Sequence, residues 1–295
     1  MNPLSSAPVI AADRNRVPPA ILRTSDTRRR ERFAGTALRA AAAFWFGMAV
    51  LGQLVFAVYV MDFYGRVTLQ GHPERWNRVM PHGYVAGDTF FNLVLGLHLM
   101  FVVVIVLAGA MQLIPRIRRR APAIHRWNGR AYLVAAAVMS VGGLAMVWVR
   151  GGMVGDLPQH LGITLNALLI LGFAAIAWRH ARARRFDLHR RWALRLFLAV
   201  SGVWFFRVGL MFWIVVNQGP VGFDPQSFTG PFLSFLSFAQ YLLPLGVLEL
   251  YFRAQKHGSP RIRLAMATGL GVLTLMMTVG IGAATMILWL PHMHA

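Results

Sequence analysis

The chain has no cysteine in its 295 residues. Structural disulfides, thiolate metal sites, iron–sulfur clusters, covalent haem attachment through CxxCH and thiol nucleophiles are therefore excluded. Acidic residues are scarce, 10 Asp and Glu against 30 Lys and Arg, and charged residues of both signs amount to only 14%. So few charges cannot cover the surface of a soluble domain of this length. No P-loop, nucleophile elbow, metalloprotease helix or paired-carboxylate motif occurs in a fitting context, so hydrolase and ATPase chemistry have no sequence support. No apolar run with a small-residue cleavage site follows the polar N-terminus, and no removable signal peptide is expected.

What is present in quantity is apolar sequence, 57% of the chain. A membrane span needs roughly 20 mostly apolar residues, and seven stretches qualify: Leu38 to Met61, Phe90 to Ile114, Tyr132 to Val149, His160 to Trp178, Ala193 to Val216, Phe232 to Phe252 and Leu264 to Leu290. The expected fold class is all-α, a polytopic membrane helix bundle of about seven transmembrane helices. The formal charge of +20 would suggest nucleic acid on a soluble face, but the Arg residues fall in short clusters between the spans, so no nucleic-acid partner is expected. Arg28, Arg29, Arg30 and Arg32 precede the first span; Arg116, Arg118, Arg119 and Arg120 follow the second. Arg179, Arg182, Arg184 and Arg185 follow the fourth; Arg253, Lys256, Arg261 and Arg263 follow the sixth. The positive-inside rule then puts the N-terminus in the cytoplasm and the C-terminus on the opposite, outer side of the membrane. Residues 1–36, polar and rich in Arg and Pro, read as a disordered cytoplasmic tail, and 37–295 as the transmembrane domain. Trp45, Trp127, Trp148, Trp178, Trp192 and Trp213 lie near span ends, where an interfacial belt is expected.

An internal repeat relates the second and third spans to the fourth and fifth, within 88–217. Each unit runs His-Leu, an apolar stretch, an Arg cluster and then His-Arg, giving His98 with His125 and His160 with His189, at separations of 27 and 29 residues. His98 and His160 stand 17 and 19 residues from Pro115 and Arg179, which places them at similar depth near the outer leaflet. His125 and His189 share a level at the cytoplasmic ends. A bis-histidine haem needs two imidazoles from different helices facing across a bundle, and two helix pairs forming a four-helix core meet that need at two levels on the order of 20 Å apart. The same residues have plainer readings. His125 and His189 also suit headgroup-level anchors, and His98 and His160 interhelical hydrogen bonds. Arg207, inside the fifth span, calls for an anion or a wet cavity: a haem propionate, a quinone oxygen, an anionic substrate, or capture by backbone carbonyls. Glu249 is expected to pair with Arg253, one turn away.

The run His125-Arg126-Trp127-Asn128-Gly129-Arg130-Ala131-Tyr132, with Gly109 and Gln112 before it and His189-Arg190-Arg191-Trp192 after it, resembles the bacterial family known only as predicted membrane proteins of domain of unknown function 2306. That resemblance runs from about Phe90 to Arg253 and implies a multi-span fold. A weaker architectural similarity is to transmembrane di-haem cytochromes of the b-561 type, which implies an outer haem on His98 and His160 and an inner one on His125 and His189. In this chain the inner histidines lie at or before the helix starts. The expected function is a transmembrane b-type haem electron carrier between a small reductant or quinol and an acceptor. The alternatives are a haem-free transporter or small-molecule binding protein using Arg207, and a structural or assembly subunit. No residue is assigned a catalytic role, and nothing in the sequence fixes the oligomeric state.

Overall fold

The structure is a computed structural model and describes residues 19–80, 82–151 and 155–293. Eight long helices carry the described chain: α1 Pro19–Tyr59, α2 Thr89–Leu113, α3 Pro122–Trp148, α4 Leu157–Arg182, α5 Phe186–Val200, α6 Gly202–Asn217, α7 Pro231–His257 and α8 Pro260–Ala283. The all-α expectation holds. An isolated bridge between Asp224 and Thr229 is the extended pairing recorded among the described residues. Six helical stretches are long and apolar enough to cross a bilayer, and α5 with α6 makes a seventh, bent by 52°. Helices are the natural answer in lipid, because a helix satisfies its own backbone groups where no water can. Their starts are written locally. Asp88 and Asp156 cap α2 and α4 by accepting from the amides of Phe91 and Gln159 at 3.3 and 3.2 Å, and prolines open α3, α7 and α8.

The chain departs from expectation at both ends of the first span. Residues 19–36 depart from the expected disordered tail: α1 begins at Pro19 and carries the basic cluster as helix; residues 1–18 lie outside the described residues. An ion pair between Arg30 and Asp26 at 3.0 Å, one turn apart, supports helix there. At the other end α1 continues through a π-helical turn, Val60–Gly65, and a further turn, Arg66–Leu69. A second π-helical turn, Ala284–Trp289, extends α8.

Six spans form a closed ring in the order α1, α2, α3, α4, α7, α8, each packed on the next. The bent pair α5–α6 fills the middle. Leu196 of α5 is buried among Ile105 and Ala108 of α2 and Tyr132 and Ala135 of α3, with Ile170 and Phe173 of α4 alongside. This cluster is the core of a four-helix unit made by the repeat, with α2 and α4 at one pair of opposite corners and α3 and the bent span at the other. Trp204 and Val208 of α6 pack instead with Ala49 and Phe56 of α1, Leu95 of α2 and Met277 of α8.

The bend falls at Ser201–Gly202, a pair prone to kinking. Ser201 Oγ donates to the Phe197 carbonyl at 2.8 Å and accepts from Gln53 Nε2 of α1 at 2.9 Å. A Cβ at 202 would stand 2.9 Å from Asn166 Nδ2 of α4, so glycine leaves room for that amide. The hydroxyl, the amides and the missing Cβ tie the centre of the bent span to its neighbours.

Candidate functional site

The inner histidines occupy equivalent places. His125 is the fourth residue of α3 and His189 the fourth of α5, so the two hairpins of the repeat present them alike from opposite corners of the four-helix unit. His189 Nδ1 donates to the Ala177 carbonyl at 2.9 Å. That bond fixes the tautomer and leaves the Nε2 lone pair to a ligand, the arrangement in which metal-bound histidines are usually held. His125 Nδ1 is buried without a protein partner, and His189 is among the groups close enough to interact with it electrostatically. The surrounding motif positions this ring. Gln112 Nε2 donates to the His125 carbonyl at 2.8 Å, Asn128 Nδ2 donates to the Ala108 carbonyl at 2.9 Å, and Gly129 leaves room for the Gln112 amide, which a Cβ there would meet at 3.3 Å. In His125-Arg126-Trp127-Asn128-Gly129 the polar and small residues are thus a clasp between α2 and α3.

The outer histidines differ. The His98 ring lies against α3, with Nδ1 3.9 Å from where a Cβ of Gly142 would stand and Cε1 3.9 Å from that of Gly143. The His160 ring meets Trp148 of the same helix edge-on, centroids 6.3 Å apart. The contacted positions on α3 differ by five or six residues, about 8 Å along the axis, so the expectation of one common depth does not hold. Capping explains the offset: Asp88 starts α2 ten residues before His98, and Asp156 starts α4 four residues before His160. His98 Nδ1 and His160 Nε2 are both buried without protein partners.

Arg207 Nη1 donates to the Val203 carbonyl at 3.1 Å, and its guanidinium lies 5.3 Å from the centre of the Phe56 ring. Tyr59, Tyr64 and His98 are within its electrostatic reach. It forms no ion pair with a carboxylate among the described residues. Sequence reading missed the aromatic wall behind it. The two π-helical turns bring Phe63 and Trp289, both fully buried, together with Tyr59, and no local pattern announces such turns. Trp76, from the 3₁₀ turn Pro73–Arg78, closes this region from outside, 97% buried and packed on Tyr64. The outer loop is latched by Arg150, which pairs with Asp88 at 3.3 Å and donates to the Gly83 carbonyl at 3.1 Å. Glu249 is corrected: it pairs with Arg195 of α5 at 2.6 Å, a residue far away in sequence that the bundle brings opposite.

A ring of apolar helices around a bent central span, with arginine clusters at alternate connections, is a multi-pass membrane protein. Within that class, residues 95–225 match the family described as predicted membrane protein (DUF2306), a stretch containing all four repeat histidines and Arg207. No curated protein and no solved structure matches the chain.

Proposed function

We propose that this protein is a b-type haem electron carrier of the bacterial cytoplasmic membrane, N-terminus inside, with His125 and His189 as the pair that holds iron. The observation that carries this reading is the inner pair itself: equivalent positions on opposite corners of a four-helix unit, with Ala177 orienting one ring and the other ring's Nδ1 buried and free. Neutral imidazoles suit the group, and no cysteine is needed to hold it. When bound, haem b supplies reversible one-electron transfer, with a small reductant or quinol on one side and an acceptor on the other. The chain's own part is to orient the His189 ring through Ala177, to hold the backbone at His125 through Gln112, and to keep water out with Ile105, Tyr132 and Leu196. A second haem on His98 and His160 requires those rings to come level.

A reduced-minus-oxidised spectrum of protein expressed with sufficient haem tests the proposal. A b-type band is expected, lost in His125→Ala and in His189→Ala; its absence from the unaltered protein overturns the reading. A band of doubled haem content that falls by half in His98→Ala would add the outer site.

A second reading, a haem-free transporter or small-molecule binding protein, rests on Arg207. An intramembrane guanidinium without a carboxylate partner marks a ligand path by default. Equal uptake by native and Arg207→Ala protein in vesicles counts against it.

A further inference from the structure

On the side of α1 turned away from Arg207, residues three and four apart form a continuous stripe that borders two grooves. The larger, of about 890 Å³, runs between α1 and α2 and is walled by Leu54, Val58, Met61 and Leu69 with Val103 and Leu107. The smaller, of about 270 Å³, runs between α1 and the end of α8. Leu54 and Val58 line both, so they form a ridge with a channel on each flank. The walls are aliphatic and lipid-facing, Val58 being 57% and Leu69 91% exposed.

The grooves meet at one polar head. Asp62, Arg66 and Gln70 succeed one another at intervals of four on the wider groove. Arg66 Nη2 lies 3.5 Å from Asp62 Oδ2 and donates to the carbonyl of Met293, which lines the narrower groove, at 2.8 Å. Arg66 Nε is buried with no protein partner. The head therefore offers one carboxylate and one guanidinium with a spare donor, at the membrane face opposite the arginine clusters.

We propose that this double groove binds one diacyl phospholipid with a zwitterionic head group bearing a primary ammonium, its chains astride the Leu54–Val58 ridge. Charge complementarity selects the head: the phosphate meets Arg66 and the ammonium meets Asp62, whereas an anionic head would set its second acidic or hydroxylic end against Asp62 with no cation to match. Two channels on one ridge fit two chains. No aromatic side chain lines the wider groove, where the polar head sits, so a quinone ring has nothing to stack on there. This site is independent of the haem proposal.

The test is native mass spectrometry of the full chain released from nanodiscs of equal phosphatidylethanolamine and phosphatidylglycerol. One retained phosphatidylethanolamine is expected. Arg66→Ala lowers its retention about tenfold, the loss of one charge-assisted hydrogen bond, and Asp62→Asn turns the preference toward phosphatidylglycerol. Gly65→Leu fills the wider groove, since a Cβ at 65 meets nothing within 4 Å, and removes the lipid while the melting temperature stays unchanged. Retention without head-group preference, or equal in all three variants, identifies annular lipid only and overturns the proposal. So does a quinone retained in the phospholipid's place. The haem spectrum of Arg66→Ala, expected to match that of the native protein, keeps the two proposals separable.

Discussion

A neutral imidazole carries one donor and one acceptor, and the value of each histidine here depends on which of the two the protein already uses. At His189 the donor is spent on Ala177, so the acceptor is directed. At His125 the backbone carbonyl, not the ring, is engaged, by Gln112. Gln112→Ala is therefore expected to cost about 1 kcal/mol and to let the start of α3 shift, seen as a lower melting temperature with a weakened or broadened b-type band. Gly280 shows how a residue's meaning changes with its neighbours. In sequence, Gly280 and Gly282 are two small residues in an apolar run, but in the bundle a Cβ at 280 would run into the Val208 carbonyl. This glycine exists to let α6 and α8 touch, as small residues do between membrane helices.

Among the elements, the bent span α5–α6 has the most consequence. Its centre is held by Gln53, Ser201 and the close approach at Gly202, and its inner half by Arg195 with Glu249 at 2.6 Å. Ser201→Ala leaves the buried Gln53 amide without its acceptor. A loss of about 1–3 kcal/mol follows, measurable as a fall in the thermal midpoint in detergent, while Ser201→Thr keeps the bond. The loop from α6 to α7 is ordered by an acid. Asp224 accepts from the amides of Gln226 and Ser227 and from the Ser227 hydroxyl, and these bonds hold its carboxyl below the usual carboxylate range. A depressed folded value means that the stabilisation is complete above the ordinary Asp value of about 3.9 and is lost as pH falls through the lower folded one. Hydrogen exchange at the amides of Gln226 and Ser227, corrected for intrinsic rates, should show protection at pH 5 that declines below about pH 4, and Asp224→Ala should remove it at both.

At the scale of the whole molecule, the ring of six spans around a bent seventh makes the repeat useful. Each hairpin alone offers one inner histidine; only the packing of the two hairpins in the same orientation around a shared core sets α3 opposite α5. The absence of cysteine makes orientation simple to measure. With Ser227→Cys and Gln255→Cys introduced singly, an impermeant thiol reagent applied to intact cells is expected to label the first and spare the second, and the reverse pattern would invert the topology.

Apolar length and arginine spacing are properties of the chain read in one dimension. They were enough to place the spans to within a few residues at most ends, to give the all-α class and to reveal the repeat with its histidines. Residues 19–36 are helix where their composition reads as disorder, because polar composition hides helix that continues from a span. Whether two histidines share a depth, where α1 and α8 widen into π turns, and which cation answers Glu249 depend on the rotation and offset of helices whose contacting residues lie tens of positions apart. No local pattern encodes that offset. It follows from where caps such as Asp88 and Asp156 start each helix and from which small residues let the helices close, and packing of the whole bundle decides both together.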